Sequence, residues 1–388
     1  MNKIFNKIKC LRKHPPRQRG AVLMVMLVIL VTGGSAMLLS SLNSVTPRLA
    51  RDKVTADALA QAKEALIGYA AKANTPGQFP CPEDTTLIGL PTEGTSKGTC
   101  TLPAIGRLPW RQLGLGPLRD GNSELLWYAL SPGFRTSPIN SDTPAQLTVD
   151  GAANSAIAII FSAGSPVNGQ TRPTPTSSAP PDPAQYLELS NSDGDNIFIS
   201  SQASDTFNDR LMIIKTGDII SIVEKRVKKE LEKAFLAYGS YPYPANFTCT
   251  SSASCVSDTA SQPTCVGKIP VGNPGFTLPA WFVPNNWFDV VYYAASTSTL
   301  PLIGGGGMGG GGMGSASTGT GCFNPLIVSG TNVKAFFILP GTQLNGTGRA
   351  NLSSGNLADY FEDDLNKIID ADYVIPSSSS NDTLHILP

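Results

Sequence analysis

Histidine is scarce in this sequence of 388 residues, which contains only two. A Ser-His-Asp or Cys-His catalytic arrangement in the main body of the chain would have to use His385, close to the C-terminus. No Gly-Lys-Ser/Thr phosphate motif occurs, and no two cysteines have the Cys-x-x-Cys spacing of a zinc site. No pair of carboxylates stands out as an acid and base for glycoside cleavage. We therefore expect a protein that is not an enzyme.

Charge is also sparse, since Asp, Glu, Lys and Arg make up 15% of the residues. The first twenty residues hold seven of the 29 lysines and arginines and no acidic residue. The remainder therefore has 22 basic residues against 29 acidic ones. An acidic main body argues against nucleic acid as a partner.

The longest apolar run follows this basic stretch and covers residues 20–42 without a charge. About twenty apolar residues are enough for a helix to cross a bilayer. The positive charges in front of it predict a cytoplasmic leader at 1–20 and a transmembrane helix at 21–42. We expect a single-pass protein of a bacterial inner membrane with its bulk in the periplasm or in a filament.

Three kinds of N-terminus fit this pattern. Gly34-Ser-Ala36 offers small residues for cleavage of a secretory signal peptide, and a plain signal anchor is the second alternative. The third rests on Arg17-Gln-Arg-Gly20 followed at once by Ala21 and the apolar run. Apolar residues at helical spacing over 51–74 then predict an amphipathic continuation, which a cleaved signal peptide does not need.

The third pattern resembles the class III leader of type IV pilins and type II secretion pseudopilins. The resemblance implies that a prepilin peptidase cuts between Gly20 and Ala21 and that the new N-terminus is methylated. It also implies other pilin or pseudopilin subunits and the inner membrane as partners. The family's usual glutamate at the fifth position after the cut is replaced by Val25. This departure resembles large minor pseudopilins and minor pilins, and suggests a place at the tip of a filament.

The chain after residue 50 contains a divergent internal duplication with an offset of 161 to 177 residues. Six segments recur in the same order. The matched pairs begin at Ala65 and Ala234, Pro76 and Pro244, Gly106 and Gly267, Glu124 and Asp289, Ala158 and Ala335, and Asn208 and Asn381. The repeat predicts two tandem pilin-like units, 43–216 and 217–388.

Each unit is predicted to be a helix packed on an antiparallel sheet, so that the fold class is α+β with a long N-terminal transmembrane helix. We predict the second helix over 217–238 and assign its Glu224–Lys228 pair to a solvated face. The predicted strands are 125–130, 156–162 and 210–214 in the first repeat, and 289–294, 334–339 and 383–387 in the second. A Gly-rich segment, 304–321, is predicted to be a loop of the second repeat.

Six cysteines follow the apolar run, an even number that predicts three disulfides. Cys81 and Cys249 are equivalent in the repeat, and Cys100 and Cys265 each precede an equivalent segment. This predicts the pairs Cys81–Cys100 and Cys249–Cys265, which leaves Cys255 for Cys322.

The only candidate metal ligands are Asp193 and Asp195 in Ser192-Asp-Gly-Asp195. Two carboxylates at this spacing occur in calcium loops, but the third acidic position and the terminal glutamate are missing. A turn is the alternative, and no other cofactor is expected.

Taken together, these patterns suggest a non-enzymatic minor pseudopilin-like or pilin-like subunit of a type II secretion or type IV pilus filament. The alternative is an anchored periplasmic or surface protein that binds a glycan or protein and does not assemble.

Overall fold

A computed structural model describes residues 21–167, 169–257, 264–300, 321–344, 349 and 355–388. The side chains of residues 21–23 and 32–46 lie outside this description, as do the predicted leader and nearly all of the Gly-rich segment. Two compact units are distinguished, Met1–Val54 and Thr55–Pro388. The fold class is α+β, as the sequence predicts.

The first helix, α1, covers Ala21–Lys72 and contains Pro47. Its apolar stretch Met24–Val31 is exposed on every side, with each side chain 56% to 76% accessible. Between Thr55 and Ala70 the buried residues instead recur at three- and four-residue spacing, which places them on one face. They are Thr55, Ala58, Leu59, Ala62, Leu66, Ile67 and Ala70.

The predicted transmembrane helix at 21–42 is wrong for the part of the chain that the structure describes. No helix there combines the length and the apolar character that crossing a bilayer requires. The predicted single-pass location in an inner membrane is therefore wrong as well.

The described residues of Thr55–Pro388 form four sheets, which occur as two matching pairs. The first large sheet has the order β1-β2-β5-β7, and the second has the order β8-β9-β12-β14. All neighbours in both are antiparallel. The strands of the first are β1 Ala104–Arg107, β2 Trp127–Leu130, β5 Ala158–Ser162 and β7 Arg210–Ile214. Those of the second are β8 Val266–Lys268, β9 Tyr292–Ala295, β12 Ala335–Leu339 and β14 Thr383–Leu387.

A smaller sheet accompanies each large one, with the orders β4-β3-β6 and β11-β10-β13. In both, the first pair is antiparallel and the last is parallel, which the prediction of purely antiparallel sheets missed. Positive φ angles at Asp150-Gly151 and Ser329-Gly330 close the two hairpins by equivalent two-residue turns. The small-sheet strands are β3 Leu147–Val149, β4 Ala152–Ala156, β6 Ile197–Phe198, β10 Leu326–Val328, β11 Thr331–Val333 and β13 Asp372–Tyr373.

The second helix, α2, covers Thr216–Tyr238. Its first turn is capped by the Asp218 carboxylate, which accepts a hydrogen bond from the Lys215 N–H at 3.0 Å. It ends at Gly239, whose φ of 77° allows its N–H to bond to the Phe235 carbonyl. Its apolar face and the buried face of α1 share one core with both large sheets. The two repeats therefore lie in a single compact unit, and the domain boundary predicted between residues 216 and 217 stays a prediction.

The predicted solvated role of Glu224 is wrong, because this residue of α2 is only 4% exposed. Its Oε1 accepts hydrogen bonds from the Ser141 hydroxyl at 2.6 Å and from the Gly341 N–H at 3.0 Å. Burial raises the pKa of Glu224 from 4.5 to about 7. Sequence spacing places Glu224 beside Lys228, but tertiary packing turns its side chain toward both repeats.

We expect Glu224 to make stability depend on pH. The unfolded chain releases its proton near pH 4.5, whereas the folded chain keeps it to about pH 7. The free energy of unfolding should therefore fall by about 3 kcal/mol through this group as pH rises over that interval. Glu224→Gln, which keeps both hydrogen bonds, should remove that part of the slope in urea unfolding measured from pH 4 to 8.

The control is Glu232→Gln on the same helix, because the Glu232 side chain is 42% exposed. An unchanged pH slope in Glu224→Gln, or equal changes in both variants, would contradict the burial argument.

Candidate functional site

The predicted cleavage position is only partly described. Gly20 lies outside the described residues, and Ala21 is the first residue of α1. Neither the predicted cut nor the methylation of Ala21 is tested by the geometry, and both stay predictions.

All six cysteines of the predicted disulfide set are paired. The pair Cys81–Cys100 is confirmed. The other two pairings are wrong, because the structure joins Cys249 to Cys255 and Cys265 to Cys322. Three disulfides indicate that this part of the chain matures in an oxidising compartment.

Local geometry explains the two incorrect pairings. A turn in which the Cys255 N–H bonds to the Ser251 carbonyl brings Cys255 back beside Cys249. Gly321 packs so closely on Val266 that a Cβ there would lie 2.5 Å from a Val266 methyl, which places the next residue, Cys322, beside Cys265. The repeat argument failed because the first repeat has no counterpart of Cys255 or Cys322.

Asp193 and Asp195 lie in turns stabilised by their own carboxylates, and calcium binding there stays a prediction. Asp193 Oδ1 accepts a hydrogen bond from the Asp195 N–H at 3.2 Å, and Asp195 Oδ1 accepts one from the Ile197 N–H at 2.6 Å. Both side chains are exposed and belong to consecutive turns. The described ranges contain no group of three or more His, Cys, Asp or Glu residues that could hold a metal.

His385 lies on β14 opposite Phe337 of β12, and the two rings are 5.2 Å apart. Burial, followed by the nearby Lys228 charge, lowers the pKa of His385 to about 4. The side chain is thus neutral at physiological pH and packs on an aromatic ring.

Two equivalent carboxyl pairs lie in the repeats, and the sequence analysis missed both. Glu188, Asp209 and Asp382 are buried, and Glu362 is partly buried. In the first, the Glu188 N–H donates to Asp209 Oδ2 at 2.9 Å, while Glu188 Oε2 accepts from the Asp209 N–H at 3.0 Å. In the second, the Glu362 N–H donates to Asp382 Oδ2 at 3.0 Å. Burial and the adjacent glutamate raise the pKa of Asp209 and of Asp382. Because the arrangement occurs in both repeats and orders the same loop, it belongs to the shared fold.

A cleft of about 320 Å³ on the first repeat has a different character. Glu83, Arg107 and Trp127 line it, and each is at least nine-tenths buried. Each also carries an atom with no hydrogen-bond partner among the described residues: Glu83 Oε2, Arg107 Nε and Trp127 Nε1. Buried polar atoms are nearly always paired, so three unpaired atoms around one cleft indicate a place for a ligand.

Two strands and a loop position these groups. Arg107 of β1 and Trp127 of β2 are direct partners in the sheet register, so their side chains share one face. The Arg107 guanidinium lies 5.8 Å from the centre of the Tyr186 ring, and the Trp127 ring lies 5.2 Å from it. Glu83 is held by its N–H, which donates to the Arg107 carbonyl at 2.9 Å.

The Glu83 carboxyl is the titratable group of this cleft. Its Oε1 accepts the Gly94 N–H at 2.8 Å. Burial raises the pKa of Glu83 to about 7, against the opposing charge of Arg107. Close to neutral pH the cleft can therefore present either an O–H donor or a carboxylate.

One feature of the sequence could have pointed to this cleft before the structure was known. Gly106-Arg107 and Gly267-Lys268 both place a cation after the repeated glycine, at a position that later proves to be buried. Glu83 carried no such signal, because only tertiary packing removes it from water.

The two disulfides that the sequence did not predict, Cys249–Cys255 and Cys265–Cys322, should differ in their effect on stability. Cys265–Cys322 closes a loop of 57 residues, whereas Cys249–Cys255 closes one of six. By the chain-entropy estimate, Cys265→Ala/Cys322→Ala should cost about 4 kcal/mol and Cys249→Ala/Cys255→Ala about 2 kcal/mol. Urea unfolding of both double variants under oxidising conditions measures the difference, and the opposite order would contradict it.

Comparison with known proteins gives no external reference for this site. No protein-family model, curated protein or solved structure matches the chain. The second repeat supplies an internal reference instead, because its large sheet has the same strand order and the same register across equivalent positions. Side chains that differ between the two repeats are therefore the candidates for a specific function.

Proposed function

We propose that this chain is a non-enzymatic subunit of a pilin-like or pseudopilin-like filament. The exposed apolar segment Met24–Val31 of α1 carries the proposal. A helix that is apolar all round is stable in water only when other apolar surfaces surround it. A bundle of equivalent helices from neighbouring subunits provides such surroundings and is the arrangement that the leader resemblance implies.

Val25 supports a terminal place in that bundle. It stands where the resembling family usually carries a glutamate, and its side chain is 58% exposed among other apolar residues. A valine cannot pair with the N-terminal amine of a subunit ahead of it. The proposal therefore places this chain at the tip, where no subunit lies ahead.

Processing of the N-terminus is the first test. Produced together with a prepilin peptidase, the mature chain should begin at a methylated Ala21, as measured by intact-mass and N-terminal peptide mass spectrometry. Gly20→Val should abolish this cut, and the control Ala36→Leu, at the rival cleavage position, should leave it unchanged. An intact Met1 or a new N-terminus after Ala36 would contradict the pilin-like assignment.

Assembly is the second test. Leu27→Glu places a charge in the apolar segment and should abolish co-assembly with partner subunits, because a charge buried among apolar helices lacks solvation. The control is Leu236→Glu, since Leu236 lies on α2 and is 77% exposed. Crosslinking followed by filament pull-down compares the two variants. Equal recovery of Leu27→Glu and the unmodified chain would rule out packing through Met24–Val31.

A second candidate function is ligand binding without assembly. The cleft formed by Glu83, Arg107 and Trp127 favours it, because these buried groups find no partners within the described chain. The two candidates are compatible, since a filament subunit can also bind a ligand through its folded unit.

A further inference from the structure

In the second repeat, the residues equivalent to Arg107 and Trp127 of the cleft find hydrogen-bond partners within the protein. Lys268 corresponds to Arg107 and is completely buried. Its ammonium donates to Asp289 Oδ1 at 2.7 Å and to the Cys249 carbonyl at 2.8 Å. In this repeat the protein itself supplies a carboxylate to the cation of the first strand.

The first repeat has the corresponding carboxylate but uses it elsewhere. Asp289 corresponds to Glu124, which forms an ion pair with Arg172 at 3.3 Å. No ion pair or hydrogen bond from the Arg107 side chain is found in the described part of the chain. Among the described residues Arg107 is thus a buried cation without an ion pair, although the Glu83 carboxyl lies near enough to interact with its charge.

The aromatic position differs in the same way. Tyr292 corresponds to Trp127, and its hydroxyl hydrogen-bonds to the Tyr373 hydroxyl at 2.6 Å. The first repeat has Phe198 at the position of Tyr373, so it offers no hydroxyl to the Trp127 indole. Two donors that are satisfied in the second repeat therefore lack acceptors in the first.

We propose that the cleft of the first repeat binds the carboxylate of a small ligand, held by the Arg107 guanidinium and the Trp127 indole N–H. The ligand carboxylate takes the place that Asp289 occupies in the second repeat. The guanidinium fork matches the planar carboxylate, and a volume of about 320 Å³ accommodates one sugar or amino-acid unit. Two sources share this chemistry, an acidic sugar and a peptide C-terminus.

Glu83 adds a dependence on pH. Its carboxyl faces Arg107 from β1 and the Gly94 N–H, Lys97 lines the same cleft, and the Asp84 and Glu93 carboxylates lie nearby. When protonated, Glu83 donates its O–H to the ligand, and when ionised it repels the ligand carboxylate. Affinity should therefore fall as pH rises through about 7, the pKa to which burial raises this group.

Isothermal titration of the full chain with D-glucuronate and with N-acetylglycine tests the proposal at pH 6 and pH 8. Matched neutral probes are D-glucose and N-acetylglycine amide, and they should bind at least about tenfold more weakly than the corresponding acid. Binding of glucuronate alone identifies an acidic sugar, and binding of N-acetylglycine alone identifies a peptide terminus. Equal binding of acid and neutral probes, or no binding of either acid, overturns the proposal.

Variants locate the site. Arg107→Ala should weaken binding about tenfold or more, and Arg107→Lys should weaken it less, because the charge stays but the fork is lost. The control Arg119→Ala removes an exposed arginine of the same repeat and should not change binding. Glu83→Gln should bind at pH 8 as well as at pH 6. Non-reducing mass spectrometry and urea unfolding confirm that each variant is folded.

Wild-type affinity in both folded Arg107 variants, or an unchanged pH dependence in Glu83→Gln, also overturns the proposal. The inference extends the binding function proposed above and is independent of filament assembly. Neither probe nor variant involves residues 20–31, so a failure here leaves the assembly proposal standing, and the reverse also holds.

Discussion

A buried polar seam, formed by Glu224, Ser141, Gly341, Asn285 and Ile139, joins the two repeats, and the single core of Thr55–Pro388 depends on it. Glu224 of α2 accepts hydrogen bonds from Ser141 of the first repeat and from Gly341 of the second. Beside it, Asn285 accepts the Ile139 N–H at 2.8 Å. Leaving a buried hydrogen-bonding group unpaired costs about 1–3 kcal/mol, so these hydrogen bonds fix the position of one repeat against the other. The apolar faces of the two helices supply most of the buried area. Its hydrogen bonds explain why two copies of one unit form one compact body.

Within this frame the copies differ at particular side chains, such as Arg107 and Lys268, whereas their backbones have kept the same strand pairing. Both large sheets have equivalent registers, and both carry a buried tyrosine, Tyr128 and Tyr293, whose hydroxyls donate to the carbonyls of Pro80 and Pro242. The buried carboxyl pairs recur as well. Contacts that occur in both repeats stabilise the fold that the repeats share. The unpaired polar groups of the cleft occur in the first repeat alone, so the shared fold does not explain them.

The sequence predicted the repeat and the principal strands, because short apolar runs such as 210–214 and 383–387 are local signals, and both predicted ranges match the structure. It failed where long-range packing decides. Glu224 has the spacing of a surface residue, yet the neighbouring repeat buries it. The pairing of Cys265 with Cys322 follows from Gly321 packing on Val266, a contact between distant segments. Hydropathy alone predicted a membrane helix that the described chain does not contain. The cleft was missed because an unpaired buried atom has no sequence pattern.

The contrast between Arg107 and Lys268 has an energetic consequence. Removing one partner of a buried ion pair typically destabilises a fold by about 3–5 kcal/mol, because the remaining charge is neither hydrated nor paired. The second repeat avoids this cost through Asp289, within the same strand register. The first repeat could have done the same with Glu124, but that carboxylate binds Arg172. The Arg107 guanidinium lines the cleft without an internal ion pair among the described residues, and an external carboxylate meets the same electrostatic need that Asp289 meets in the second repeat.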